Sequence, residues 1–331
     1  MIVTDMIGHF KSGREQKGFY MDRWEKENLD GIPDFLAKDW DVVGIVSGSG
    51  LVRVGKSVKA MQTAAFIAWR IAGGKVIADE NGNTVKIIPP TKPLNFSLDN
   101  VVFDPEELME KARKFPMNSV FVYDEGRAGL DSKRAMESIN KGMEDFFQEC
   151  GQYNHVIIIV LPDFFKLHAD YAVTRSMFLI NVEVNKKWER GFFQFFNRNQ
   201  KEWLFNLGKK KMGSNQKYRA AKGNFYGKFT TWFPFDLEEY KRRKKEALKK
   251  KEITRFQKKF KRQRDAMMYL YKKKTKYTNK KIAEQLSDLC EFEVKRDAVR
   301  EGIQDIETRK GEYKELKELR KKVQKLIESK I

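Results

Sequence analysis

Two short stretches of the chain are apolar almost without interruption: VVGIVS at 42–47 and VIIIVLP at 156–162. Runs of this length, rich in β-branched residues, predict strands buried on both faces. After the first, SVKAMQTAAFIAWRIA (57–72) changes to a helical period, and Ala60, Ala64, Ala65 and Ala68 give that helix a small-residue face suited to close packing on a sheet. VFVY at 120–123 is another buried strand. NVVFDPEELMEKARKF (100–115) reads as a short strand, then a helix opened by Asp104 as N-cap and Pro105 in the first turn. In 132–150, Met136, Ile139, Met143, Phe146, Phe147 and Cys150 form the core-facing stripe of a further helix. KVIADENGNTVKII (75–88) predicts a small hairpin. MFLINVEV (177–184), GFFQFFN (191–197) and EWLFNL (202–207) alternate more and are spaced like antiparallel strands at a sheet edge. Strands alternating with helices predict an α/β fold with a mostly parallel sheet.

Composition narrows the function classes. At 331 residues and 41% apolar content the chain can hold one large domain or two ordinary ones. It contains no 18-residue apolar stretch, so no transmembrane segment is expected, and the first residues lack a signal-peptide pattern. The 2 cysteines and 3 histidines are scattered, which argues against a disulfide framework or a zinc site and suits a reducing, cytoplasmic setting in a host cell or virus-associated. The net charge is +20, and it is unevenly placed. Residues 241–331 carry 32 Lys+Arg against 15 Asp+Glu, so the tail holds nearly all of the excess. A polyanionic partner fits a tail of that kind.

Two motifs carry chemistry. GLVRVGKS (50–57) fits G-x-x-x-x-G-K-[ST] between a predicted strand and a predicted helix, the setting that aims backbone N–H groups and a helix N-terminus at phosphates. The nucleotide-binding residues are then Gly50, Arg53, Val54, Gly55, Lys56, Ser57 and Val58. Lys56 reaches the β/γ-phosphates of ATP, and the Ser57 hydroxyl ligates Mg2+. Arg53 is an unusual cation so near a triphosphate. The second motif is Asp124-Glu125, at the end of the 120–123 strand. Asp124 is the expected metal carboxylate and Glu125 the catalytic base that polarises the attacking water. Both motifs fall at the carboxyl ends of strands, where open α/β sheets place ligands.

The blocks DVVGIVSGSGLVRVGKSVKAMQ, VYDEGRAGLDSKRAMESINK, HVIIIVLPDFFKLHADYAVTRSMFLINV, ERGFFQFFNR and GNFYGKFTTWFP, in order over roughly residues 20–245, resemble the FtsK/HerA-like motor ATPases, in the zonular occludens toxin-type branch of phages and mobile elements. The resemblance implies a RecA-like P-loop core that works as a homo-oligomeric ring, moves, packages or transfers DNA, and has phage or mobile-element assembly partners. It also implies arginines that reach a neighbouring subunit's nucleotide. Arg134 and Arg175 are the candidates chosen, ahead of Arg127 and Arg190. Relatives place a glutamine sensor at the end of the strand after Asp-Glu. Here that strand ends Leu161-Pro162-Asp163, leaving Asp163 and Gln152 as candidates.

From 236 onward the pattern is helical and basic. Residues 241–264 hold 14 Lys+Arg against 2 acids, a phosphate clamp in which Lys241, Arg242, Arg243, Lys258 and Lys259 would bind duplex DNA. Farther on, Thr278 is a candidate N-cap, Ile282 and Leu286 pair at i, i+4, and Val294, Val299, Ile303 and Ile306 mark a following helix. TNKKIAEQL followed by a basic helix resembles a helix-turn-helix domain, which implies a reading helix near 294–307 with Lys295, Arg296 and Arg300 toward DNA. A last helix, with Leu316, Leu319, Val323 and Ile327, caps the bundle or pairs with another chain. The expected domains are an N-terminal extension (1–38), the ATPase core (39–235), a basic helical linker (236–276) and the helix-turn-helix-like domain (277–331). The expected function is an ATP-dependent DNA motor. The alternatives are a nucleotide-switched DNA-binding assembly or regulatory ATPase, and a membrane-associated phage morphogenesis ATPase.

Overall fold

Strand β1 (Val42–Gly48) is buried at all seven positions and forms the middle of a seven-stranded sheet. In a computed structural model of the chain, residues 19–48, 53–79, 84–124, 153–211, 214–290, 293–308 and 310–311 are described. The strands of the large sheet, besides β1, are β4 (Val101–Val102), β5 (Val120–Asp124), β6 (Val156–Val160), β7 (Phe178–Glu183), β8 (Phe192–Phe196) and β9 (Phe225–Lys228). Their order is β4-β5-β6-β1-β7-β8-β9. The first five neighbours run parallel, and β8 and β9 add antiparallel at one edge. Strands β2 (Lys75–Ala78) and β3 (Thr84–Ile88) form the separate small hairpin that the sequence predicts.

Helices cover both faces of the sheet. One face packs against α3 (Lys56–Ile71), whose small residues Ala60, Ala64, Ala65 and Ala68 are all buried. The short helices α1 (Arg23–Leu29) and α2 (Ile32–Leu36) contribute Leu29, Ile32 and Leu36 to that same core. The other face packs against α4 (Pro105–Lys114) and α5 (Arg198–Lys209), through Leu108, Ala112, Leu204 and Phe205. The Asp104 side chain caps α4 by accepting from the Glu106 N–H, with Pro105 in the first turn. A short helix, α6 (Ser214–Tyr218), precedes β9.

Two expectations for the sheet edge are corrected. EWLFNL (202–207) lies in α5, not in a strand. Asn197 caps the helix, accepting from the Gln200 N–H at 3.0 Å, and Lys201, Leu204, Phe205 and Gly208 fall on one buried helical stripe. Its apparent alternation is a by-product of that stripe. The strand at 177–184 pairs parallel with β1, so the antiparallel edge is made by β8 and by β9, a strand the hydropathy pattern did not reveal.

The chain divides into two compact units, Met1–Leu248 and Lys249–Ile331. The chain passes from one to the other inside α7 (Leu237–Thr275). In the second unit, α7, α8 (Asn279–Cys290) and a helix over 296–308, α9, bury Met268, Tyr269, Ile282, Ala283, Val299 and Ile303. Thr278 caps α8, its hydroxyl accepting from the Lys281 N–H at 3.3 Å. Gly302 lets α9 approach α7 closely: a Cβ there would lie 2.6 Å from Asp265 Oδ1. The helix expected over 132–150 and the stripe at 316–327 lie outside the described residues.

Candidate functional site

The carboxyl ends of β5, β6 and β1 share one edge of the sheet, and register aligns them. Asp124 pairs with Val160, and Val160 with Val46, so Asp124 sits level with the last residues of β1. Residues 49–52, including Gly50, lie outside the described set, but both ends of the loop are placed. Arg53 is exposed and left-handed (φ 60°). Val54 is buried, and Val58 is half-buried against the α3-side core. Gly55 has φ 102° and closes the N-terminus of α3. A side chain at Gly55 would be strained by that φ and would meet the Phe229 ring at 3.1 Å. Lys56, the first residue of α3, lays its stem over Gly48: a Cβ there would come within 3.4 Å of Lys56 Cδ. The first N–H groups of α3, at Lys56, Ser57 and Val58, have no acceptor within the helix.

α3 is held rigidly behind the loop. Lys59 and Glu25 form a fully buried ion pair, and Glu25 also accepts from the Thr63 hydroxyl at 3.1 Å. Burial pushes the Glu25 carboxyl up and the Lys59 ammonium down, and each partner's charge opposes that drift. Lys59 also lies over the Phe193 ring, 4.2 Å from its centroid. Gln62 donates to the carbonyls of Thr230 and Trp232, each at 2.8 Å, tying α3 to the segment after β9. These bonds fix α3 against α1 and the segment after β9.

Asp124 is 1% exposed and accepts from two side chains. The Tyr240 hydroxyl donates to Asp124 Oδ2, and Lys244 Nζ donates to the same oxygen at 2.9 Å and to the Tyr240 oxygen at 3.1 Å. Ser57, in the first turn of α3, is the further side chain whose interaction bears on the Tyr240 hydroxyl. Ser57 and Asp124, the two expected metal ligands, thus both neighbour the Tyr240 hydroxyl. Burial and the Asp124 charge push the Tyr240 phenol well above its ordinary range, so it remains a donor. Its ring packs near Phe233, centroids 5.0 Å apart, and Phe103, 6.0 Å apart.

Two hard oxygen donors from the ends of adjacent elements fit Mg2+, which is usually held by one or two protein oxygens together with substrate phosphates. Among the described residues no group of three or more His, Cys, Asp and Glu could hold a metal by itself.

The other expected residues are dispersed. Glu125, Arg127, Arg134 and Gln152 lie outside the described residues. Asp163 caps the turn Phe164–Lys166, accepting from the Phe165 N–H at 3.1 Å, with the Tyr218 hydroxyl at 3.5 Å. Tyr218 also bonds Ser47 Oγ at 2.8 Å and accepts from the Phe164 N–H at 2.8 Å, linking the end of β1 to the turn after β6. Arg175 and Arg190 are exposed, and Arg175 ends the π-helical segment Asp170–Arg175. Buried Lys201 caps that segment, donating to the Ala172, Val173 and Ser176 carbonyls at 2.6, 2.9 and 2.6 Å. Burial, with the Arg198 charge nearby, pushes the Lys201 ammonium down to about 7, and the Glu202 carboxylate opposes the shift.

Of the cations assigned to DNA, Lys241 pairs with Glu238 at 2.6 Å, and Arg242 with Glu239 and Glu246, both at 2.7 Å. Arg243 reaches Asp99 at 2.6 Å and Glu239 at 2.9 Å. Lys295, Arg296 and Arg300 are exposed, with Arg300 3.4 Å from Asp297. Lys258 and Lys259 are on α7, but their side chains lie outside the described set. Sequence reading missed Tyr240 and Lys244. The sequence signal was slight: a lone aromatic at 240 whose helical neighbours 243, 244 and 247 share its face.

No protein-family model, curated protein or solved structure matches the chain.

Proposed function

We propose that the chain is an ATPase of the P-loop class with a RecA-like core, binding ATP with Mg2+ at Lys56, Ser57 and Asp124 and using hydrolysis to move duplex DNA held by its basic C-terminal region. The observation that carries this reading is a buried Asp124 at the carboxyl edge of a parallel sheet, bonded to a Tyr240 hydroxyl that also neighbours Ser57 at the N-terminus of α3. In this reading the α3 N–H groups and Lys56 hold the triphosphate, Ser57 and Asp124 hold the cation, and Glu125 orients the attacking water. When bound, Mg2+ would neutralise charge on the β- and γ-phosphates. Arg134 and Arg175 are the candidates for an arginine supplied by a neighbouring copy in a ring. Supporting the DNA part are the exposed Lys295, Arg296 and Arg300 on and beside α9 and the concentration of positive charge after residue 240.

A nucleotide-switched DNA-binding assembly factor is the second reading, and the direct bonding of α7 to Asp124 favours it specifically. Among the described residues no helix is long and apolar enough to cross a membrane, so nothing in them supports the membrane-associated alternative.

Calorimetric titration with Mg2+-ATP tests the site. Binding is expected for the wild type and should weaken by about 100-fold or more in Lys56→Ala, which loses the phosphate cation. Equal binding by the two proteins, or none by either, contradicts the assignment.

A further inference from the structure

The groups on Asp124 come from the first turns of a helix whose remainder is the most basic part of the chain. Tyr240, Arg243, Lys244 and Ala247 lie at i, i+3, i+4 and i+7, one face of α7. That face is the one turned to the core: Tyr240 is 6% exposed, Ala247 packs against the α3-side core, and Arg243 is tied to Asp99. Lys241 and Arg242, off this face, pair with acids of their own helix.

Chemically the arrangement imitates a bound cation. A buried carboxylate needs a countercharge, and the Lys244 ammonium supplies it at 2.9 Å. The Tyr240 hydroxyl is bonded to Asp124 and neighbours Ser57, the two residues that would hold a divalent cation in the proposed nucleotide site. A divalent cation at Asp124 and the Lys244 ammonium on Asp124 Oδ2 repel one another, so the two states exclude each other at one atom.

Resting on the nucleotide-site reading above, we propose that Tyr240 and Lys244 form a latch in which the start of the basic helix occupies the metal position, so that loading of Mg2+-nucleotide and release of the first turns of α7 are one linked event. Because linkage is reciprocal, whatever draws α7 away, including DNA on its basic continuation, raises affinity for Mg2+-nucleotide.

The test uses the full chain, with Lys244→Gln, which keeps the stem but removes the charge, and Tyr240→Phe, which keeps the ring packing. Two readouts are taken: Mg2+-ATP affinity by calorimetry, and amide hydrogen exchange over 237–248. The latch requires Lys244→Gln to bind Mg2+-ATP at least about 5-fold more tightly than wild type. It also requires exchange over 237–248 to be faster in nucleotide-free Lys244→Gln than in nucleotide-free wild type, and to accelerate in wild type when Mg2+-ATP is added. Tyr240→Phe should shift both readouts the same way by less. If wild type binds Mg2+-ATP but Lys244→Gln binds no tighter, or exchange over 237–248 does not respond, the latch is overturned and the nucleotide site stands. If neither wild type nor either variant binds Mg2+-ATP, both fail together.

Discussion

The first turns of α7 and the helix α9 are both rich in cations, yet the two regions use their charge differently. Over 237–248, Lys241 and Arg242 are paired along the helix, and Arg243 and Lys244 are bonded to Asp99 and Asp124 of the sheet unit. In and beside α9, Lys295 and Arg296 stand exposed, and Arg300 is 3.4 Å from Asp297, itself exposed. Composition cannot distinguish the two, because a charge already engaged by a buried carboxylate and a charge facing water count alike. What separates them is the acid each one meets. The first region is engaged with the carboxylates of the sheet unit, and the second presents its cations to water.

The comparison can be broken from either side. The largest effect should come from Asp124→Ala, which removes the acceptor shared by Tyr240 and Lys244 together with the metal carboxylate. ATP turnover should fall by about 100-fold or more, and hydrogen exchange over 237–248 should rise while α9 exchange is unchanged. Next, Lys295→Ala, Arg296→Ala and Arg300→Ala combined should weaken duplex DNA binding without loss of folding. The slope of log affinity against log salt should become shallower by about 3, roughly 1 for each phosphate no longer neutralised. Arg243→Ala, its charge already engaged, should leave that slope nearly unchanged.

A smaller effect is expected from Gly302→Leu, which forces atoms into Asp265. It should destabilise the second unit by about 1–3 kcal/mol, read by denaturant unfolding, and leave Mg2+-ATP affinity as in wild type. The smallest is a pH effect at the start of α7. Hydrogen bonds from Arg242 and Arg243 hold the Glu239 carboxyl down to about 2. A depressed carboxylate contributes stability above its unfolded pKa, near 4.3, that is lost as pH falls toward the folded value. A thermal-melting difference between wild type and Glu239→Gln should therefore be present at pH 5 and shrink as pH approaches 2. Since Glu239 pairs at the surface, added salt should reduce the difference as well.

How far the sequence revealed these regions follows from the range of the interactions involved. The strand at 42–48 and the helix at 56–71, the paired strands of 75–78 and 84–88, the Asp104-Pro105 helix start and the Thr278 cap are all written in neighbouring residues, and each is found where its local signal lies. Asp124 at the end of its strand is equally local. The bonds of Tyr240 and Lys244 to Asp124 join residues 116 and 120 positions apart, and a lone tyrosine in a basic run gives no sign of such a partner. Glu25 and Lys59 are another pair hidden in this way, since each looks like an ordinary exposed helix residue until the fold buries both. α5 was misread for a different reason. Six largely apolar residues are compatible with a strand and with a helical stripe alike, and the Asn197 cap resolves the ambiguity.

The most direct test is ATP turnover by the full chain with Mg2+, with and without long duplex DNA, beside Asp124→Asn. The account predicts turnover that DNA stimulates and that Asp124→Asn abolishes under both conditions. Turnover that Asp124→Asn leaves intact, or no turnover by the wild type even with DNA, would contradict it.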